Sequence, residues 1–207
     1  MGYALFALAA WTCLVTVQVV TSTILDERGL AGPGEAALVI NCCGIGTMVC
    51  GLVFPYLVRI FKERLFGVSA VVLVIGIVPC LFAQSPVVYA VGVFILGIGG
   101  SAFFTAAQNA TGNIAPASRV PFVSGVMNSM MNLGPFIGPY IFSASVAAVP
   151  SMGNDTIFPV LMVIGAVTAV IGLVHPMRAL TMKPAAEREA GAAGAGTDAA
   201  GDAPAGR

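Results

Sequence analysis

Carboxamide side chains offer the clearest chemistry in this sequence, because they interrupt segments that are otherwise apolar. The five that we select are Gln18, Asn41, Gln108, Asn128 and Asn132. An amide both donates and accepts hydrogen bonds, and burying it without a partner costs free energy. These residues therefore predict either hydrogen bonds between packed helices or a water-filled pathway that binds a polar solute.

Hydroxyl groups accompany the amides at helical spacing. Positions i, i+4 and i+7 share one face of a helix. This spacing joins Gln18 to Ser22, Ser101 to Thr105 and Gln108, and Asn128 to Asn132. Together with Asn41, these residues form the candidate solute-binding set. For a single Ser or Thr we favour a packing role, since a hydroxyl can bond to its own helix. For the amides, packing and a solute pathway both stay open.

Catalytic chemistry has little support. The one histidine, His175, follows the last apolar segment, and Ser101 lacks the Gly-x-Ser-x-Gly pattern of a nucleophile. All five cysteines lie in apolar segments, without histidine or charged partners at metal-ligand spacing. We therefore expect no enzyme activity, no metal site and no cofactor.

The composition excludes the soluble classes. Apolar residues make up 58% of the 207 residues, charged residues make up 9%, and the net charge is zero. A soluble domain has about 25% charged residues, and this chain cannot supply the charged surface that such a domain needs. The composition argues against a soluble enzyme, a nucleic-acid binder and a disordered protein, and predicts an integral membrane protein.

Six apolar segments predict the fold class, an all-α membrane protein with six transmembrane helices. A crossing needs about 20 apolar residues, and lipid requires that their backbone be helical. The segments cover about residues 3–25, 36–58, 65–83, 87–109, 122–148 and 157–174. They lie in a predicted transmembrane domain, residues 1–180. The composition of residues 181–207 predicts a disordered cytoplasmic tail.

The basic residues predict the orientation. The loops after the second, fourth and sixth segments carry six of them near the membrane: Arg59, Lys62, Arg64, Arg119, Arg178 and Lys183. The other side carries only Arg28. The positive-inside rule then places both termini in the cytoplasm, and we expect a multi-pass protein of a bacterial inner (plasma) membrane.

Polarity repeats along the six segments. The third segment has only Ser69 as a polar residue and the sixth only Thr168, whereas each of the other four contains at least one amide together with Ser or Thr. Two polar helices followed by one lipid-like helix therefore occur twice. This pattern predicts a three-plus-three repeat with the third and sixth helices on the outside.

Small residues and prolines concentrate in the fourth and fifth segments. Gly97 belongs to a glycine-rich stretch, and Gly134 and Gly138 form a small-xxx-small pair that permits close helix approach. Pro135 and Pro139 remove backbone donors and should bend their helix. We expect these five residues to set helix packing or bending beside a pathway.

Three motifs resemble those of the major facilitator superfamily. In chain order they are Gly51 followed by Arg59, Lys62 and Arg64; Gly97-x-Gly99-Gly100; and Gly125-x8-Gly134-x3-Gly138-Pro139. The first lacks the usual acidic residue, the second lacks the preceding arginine, and the third continues into Phe142-Ser143 where a glycine pair is usual. The resemblance covers about residues 3–180.

The resemblance implies half of a twelve-helix transporter, in which each six-helix half is a three-plus-three inverted repeat. The missing arginine and the missing acidic residue favour a C-terminal half. The motif of the fifth segment, best known from N-terminal halves of antiporters, favours the other. We favour the C-terminal half. A second half is implied, from a homodimer or from a separate six-helix chain.

The leading functional hypothesis is secondary transport of a small solute by alternating access. The amides would bind a neutral or weakly charged solute near the midplane. Coupling through a charged side chain needs another chain, since the predicted spans contain no Asp, Glu, Lys, Arg or His. The expected partners are this solute and the lipid bilayer, and no nucleic acid. The alternatives are a non-transporting membrane interaction subunit or truncated remnant, and an intramembrane enzyme.

Overall fold

Seven α-helices form the described part of the chain. The computed structural model describes residues 2–175, without the side chains of residues 2–7, 117, 130 and 150–152. The helices are α1 (Gly2–Glu27), α2 (Pro33–Phe61), α3 (Leu65–Phe82), α4 (Pro86–Ile114), α5 (Val120–Asn132), α6 (Gly134–Ala148) and α7 (Ile157–Val174). These residues contain no strand, so the expectation of an all-α fold is confirmed. The predicted tail, residues 181–207, lies outside the described residues.

Four stretches are long and apolar enough to cross a membrane by length and composition. They are Leu8–Glu27, Pro33–Phe82, Pro86–Ile114 and Gly153–Val174. The second stretch contains both α2 and α3, because only the short 3-10 turn Lys62–Arg64 separates these helices. These stretches agree with an integral membrane protein.

The segment predicted as one fifth helix, residues 122–148, is two helices. The break falls at Leu133, directly before Gly134 and Pro135. Pro135 has no N–H for the carbonyl of Met131, and its ring crowds that carbonyl. Gly134 adds a low helix propensity. The expectation of one continuous helix is therefore corrected to a pair of 13 and 15 residues, each too short to cross alone.

A glycine ends α1 and fixes the direction in which the chain leaves it. Gly29 has a φ of +62°, which favours a residue without a Cβ. Its N–H donates to the carbonyl of Asp26, and the N–H of Leu30 donates to the carbonyl of Leu25, both at 2.9 Å. This pair of bonds is a Schellman motif. It places Arg28 at the C-cap of α1.

Helix α4 lies at the centre of the packing. It packs against α2 and α3, and α3 in turn packs against α7. Helix α1 contacts α4, α5, α6 and α7. The largest fully buried side chains include Tyr89, Phe103 and Phe158.

Glycines let α4 approach α2 at backbone distance. A Cβ on Gly97 would collide with the carbonyl of Cys43, and a Cβ on Gly46 would collide with the carbonyl of Phe94. In lipid the hydrophobic effect does not drive helices together, so close van der Waals contact of this kind stabilises the pair.

Candidate solute-binding face

The stripe of polar residues on α4 lies away from the core. Ser101, Thr105 and Gln108 are each partly exposed, whereas Ala106 and Ala107 on the opposite side are fully buried. This orientation follows from the helical period, because the small apolar residues pack inward and leave the stripe outside. The α4 stripe is therefore available to a solute, a partner or water.

The amides of α4 and α5 form one hydrogen-bonded cluster. The Nε2 of Gln108 donates to Oδ1 of Asn128 at 3.0 Å. The Nδ2 of Asn132 donates to the backbone carbonyl of Asn128 at 2.8 Å. Asn128 and Asn132 are exposed. The cluster leaves the side-chain oxygens of Gln108 and Asn132, and one amide hydrogen on each donor, free to bind another molecule.

A second polar contact joins α1 to α2. The Nε2 of Gln18 donates to Sγ of Cys43 at 2.9 Å, and sulfur is a weak acceptor. Gln18 is half-buried, while Ser22, one turn further along α1, is exposed. Asn41 is exposed on α2, two residues before Cys43. Gln18 thus keeps an oxygen and a hydrogen for other partners.

A third contact joins α2 to α4. The hydroxyl of Ser101 donates to the carbonyl of Thr47 at 3.5 Å, and the hydroxyl of Thr47 donates to the carbonyl of Gly97 at 3.5 Å. Both bonds lie at the limit of hydrogen-bond length. They align α2 with α4 where Gly97 permits close approach. Ser101 is therefore engaged in helix packing as well as exposed on the stripe.

An aromatic pair lies between α1 and α4. The rings of Trp11 and Phe104 are 5.3 Å apart between centroids and tilted by 38°, and both side chains are partly exposed. Trp11 precedes Gln18 by seven residues, and Phe104 precedes Gln108 by four, so each ring shares a helix face with an amide. The sequence places Trp11 on the face of Gln18 and Ser22, but gives no signal for Phe104.

The small residues of α6 face threonines of α1. A Cβ on Gly134 would lie 3.2 Å from Oγ1 of Thr12, and a Cβ on Gly138 would lie 2.5 Å from Oγ1 of Thr16. Pro135 lies in the first turn of α6, where its missing N–H leaves no helical bond unmade, whereas Pro139 lies inside the helix. Close helix packing and a missing backbone N–H inside the helix therefore occur together in this part of α6.

Five of the eight candidate residues therefore belong to three hydrogen-bonded groups, one between each of three helix pairs, and Ser22, Asn41 and Thr105 lie outside these groups. Gln18 belongs to the α1–α2 group and Ser101 to the α2–α4 group. The α4–α5 group consists of Gln108, Asn128 and Asn132. In the part of the chain that the structure describes, no direct hydrogen bond joins one group to another. No three His, Cys, Asp or Glu side chains in residues 2–175 gather at metal-binding distance.

Arg28 forms a separate polar centre that sequence patterns missed. Its guanidinium pairs with Asp155, with Nη2 and Oδ1 2.7 Å apart. It also donates to the carbonyls of Cys80, Leu81 and Ala83 at 3.0–3.4 Å. Those carbonyls end α3, where no intrahelical donor remains and the helix dipole favours a cation. Arg28 therefore connects the ends of α1 and α3 to the start of α7.

Further contacts surround the Arg28 centre. The guanidinium carbon lies 5.6 Å from the ring centroid of Phe158, within range of a cation–π interaction. The side-chain amide of Asn154 donates to the carboxylate of Glu27. By charge alone Arg28 is an ordinary loop cation, because Asp155 and the α3 carbonyls that it binds are all more than 50 positions away in the sequence.

The comparisons with known proteins agree with this architecture. The family described as the Major Facilitator Superfamily matches residues 1–203. No curated protein and no solved structure matches the chain. The match spans the described helices and agrees with the resemblance of the three motifs. The chain belongs to the Major Facilitator Superfamily, a family of membrane transporters.

Proposed function

We propose that this chain moves a small neutral or weakly charged solute across the membrane by alternating access. The observation that carries the proposal is the position of the amides of α1, α4 and α5: they are half-buried or exposed and hydrogen-bonded, yet each of Gln18, Gln108 and Asn132 keeps free donor and acceptor capacity. An amide in a membrane segment needs such partners, and water or a polar solute can supply the rest.

The chemistry of this face favours a solute without a strong charge. Residues 36–58, 87–109 and 122–148 contain no Asp, Glu, Lys, Arg or His, so a fully charged solute would find no counter-ion in these segments. The half-buried rings of Trp11 and Phe104 add an apolar surface. A solute with hydroxyl or amide groups and one apolar side fits both features.

The helix contacts support six crossings arranged as a repeat. We count α5 and α6 together as one crossing, since their 13 and 15 residues rise roughly 40 Å in sum. In the repeat, α1 corresponds to α4, α2 to the α5–α6 pair, and α3 to α7. Helices that contact each other in one triplet arrangement then correspond to helices that also contact each other. The α2–α4 contact becomes α1–α6, and α3–α4 becomes α7–α1.

Six crossings supply one wall of a transport pathway, and a second six-helix half would supply the other. We propose a homodimer or a separate partner chain in this role, with the amide-bearing helices facing the pathway. The break at Leu133 would let α5 and α6 adjust as the halves rock. The basic loops favour a cytoplasmic location of both termini, in a bacterial inner membrane. The motif departures favour descent from a C-terminal half.

Solute flux into proteoliposomes tests the proposal. The purified chain, alone and with candidate partner chains, is assayed with radiolabelled hexoses, polyols, neutral amino acids and nucleosides. We expect saturable uptake of one class, lost when Asn128 is replaced by Ala. If no preparation gives saturable flux, the transport proposal is wrong.

A non-transporting interaction subunit is the second candidate. The hydrogen bond between Gln108 and Asn128 favours it, because a pair of amides on two helices can serve to hold those helices together. The same Asn128→Ala variant separates the two functions. Loss of flux with normal assembly supports transport, and loss of assembly supports the packing role.

A further inference from the structure

Three exposed cations surround the turn between α2 and α3. They are Arg59, Lys62 and Arg64. Within residues 2–175, none of them forms an ion pair or a hydrogen bond through its side chain, whereas Arg28, at another helix end, is paired and bonded to three carbonyls. With Glu63 as the one carboxylate among residues 59–64, the turn carries a net positive charge.

Two of these cations, Lys62 and Arg64, lie in one short turn, and Arg59 lies three residues before it. Lys62–Arg64 is a single 3-10 turn that passes directly into α3, and the backbone N–H of Lys62 still bonds to the carbonyl of Val58. Lys62 has a φ of +47°, in the region that L side chains rarely adopt. Backbone strain of this kind is found where surrounding structure enforces it, often at functional sites.

An apolar cleft opens beside the same turn. It has a volume of about 130 Å³ and lies between α2, α3 and α4. Leu57, Phe61, Leu65 and Val68 are among its lining residues. Its only hydroxyl, that of Ser69, donates to the carbonyl of Leu65 at 2.7 Å and is not available to a ligand. The cleft suits a hydrocarbon segment and offers a polar molecule nothing to bind.

The cations and the cleft are adjacent along the chain. Phe61 and Leu65 line the cleft, and Lys62 and Arg64 are their immediate neighbours. A ligand that fills both must carry negative charge next to a hydrocarbon chain. An anionic phospholipid has this form, whereas free phosphate would leave the cleft empty and a neutral lipid would leave the cations unpaired.

We propose that the α2–α3 turn is a binding site for an anionic phospholipid. The headgroup phosphate binds Arg59, Lys62 and Arg64, and part of one acyl chain occupies the cleft between α2, α3 and α4. The site is separate from the solute-binding face and does not depend on the transport proposal. Each basic residue near an anionic membrane surface contributes roughly fivefold in affinity, so the three together contribute on the order of 100-fold.

Lipid-specific thermal stabilisation tests the site. The purified chain in neutral detergent is titrated with phosphatidylglycerol or with phosphatidylcholine of the same acyl chains, and Tm is measured. We expect phosphatidylglycerol to raise Tm at on the order of 100-fold lower concentration than phosphatidylcholine. The triple variant Arg59→Gln, Lys62→Gln, Arg64→Gln should remove this difference, because it removes the charges without touching the cleft.

Two matched variants and one soluble probe complete the experiment. Arg119→Gln removes an exposed cation from the α4–α5 connection and should leave the response to phosphatidylglycerol unchanged. Val68→Phe fills the cleft and should weaken the response while the cations remain. Equal responses to both lipids, an unchanged response in the triple variant, or full stabilisation by inorganic phosphate alone would each overturn the proposal.

Discussion

The α2–α4 and α1–α6 interfaces both rely on glycine, but they differ in what the glycines touch. At the first, Gly46 and Gly97 meet backbone carbonyls of the opposite helix. At the second, a Cβ on Gly138 would meet the hydroxyl of Thr16, whose χ1 angle can rotate, and a Cβ on Gly134 would come no closer than 3.2 Å to any atom of Thr12. Backbone cannot move aside for an added methyl group, whereas a side chain can. The α2–α4 interface is therefore fixed in geometry, and the α1–α6 interface is adjustable.

The helices of the fixed interface are continuous, whereas the adjustable interface involves a helix that follows a helix break. Helix α4 runs unbroken for 29 residues, while the chain changes helix at Leu133, between α5 and α6. The amide cluster of Gln108 and Asn128 joins the continuous helix to the interrupted one. This arrangement puts the candidate solute-binding cluster at the boundary between a rigid part and an adjustable part, which suits a site that must open and close.

The largest expected effect comes from filling the α2–α4 interface. Gly46→Leu should cost 3 kcal/mol or more, on the order of the upper limit for overpacking, because the carbonyl of Phe94 cannot retreat. We expect loss of monodisperse protein in size-exclusion chromatography. Gly44→Leu is the control on the same helix, since a Cβ there meets nothing within 4 Å. Equal yields of the two variants would contradict a fixed interface.

The next largest effect is expected at Arg28. Arg28→Gln should cost about 2 kcal/mol, since it removes charge-assisted bonds to several α3 carbonyls and to Asp155. Asp155→Asn should cost less than about 1 kcal/mol, because the Asp155 side chain is 41% exposed and exposed pairs contribute little. Thermal unfolding in detergent measures both. A larger loss in Asp155→Asn would show that the ion pair, and not the carbonyl contacts, holds these helix ends.

Replacing an amide should separate binding from folding. Asn128→Ala should lower solute uptake at least tenfold and change Tm little, because Asn128 is exposed and α5 ends four residues later. Ser129→Ala is the neighbouring control, since that hydroxyl bonds only to the carbonyl of Gly125 on its own helix. If Asn128→Ala instead prevents assembly, the cluster serves packing.

The smallest effect should come from the adjustable interface. Gly138→Ala should lower stability by about 1 kcal/mol, because Oγ1 of Thr16 must move from 2.5 Å. Among the described residues, that oxygen is the one buried side-chain N or O without a hydrogen-bond partner, so Thr16→Ala leaves no group unpaired and should restore the loss. Thermal unfolding of the single and double variants measures the coupling. Purely additive losses would mean that backbone contact limits α1–α6 as well.

The sequence predicts the helical content well and the contacts between helices poorly. Apolar length locates α1, α3 and α7 within a few residues, since the lipid requirement for helices acts on each segment alone. The break at Leu133 depends on how Pro135 and its neighbours pack. The Arg28 centre joins residues 127 positions apart and uses backbone carbonyls, which carry no residue-specific signal. The contact of Phe104 with Trp11 could not be predicted, because a phenylalanine in an apolar segment has the same sequence pattern as any other core residue.

Uptake by proteoliposomes that contain Asn128→Ala or Ser129→Ala at equal protein density tests whether the amide cluster binds the transported solute. We expect the Ser129→Ala chain to retain saturable uptake of a neutral solute and the Asn128→Ala chain to lose at least nine tenths of it, on the order of the loss expected for one binding contact. Equal uptake by the two variants would contradict a role of the amide cluster in solute binding.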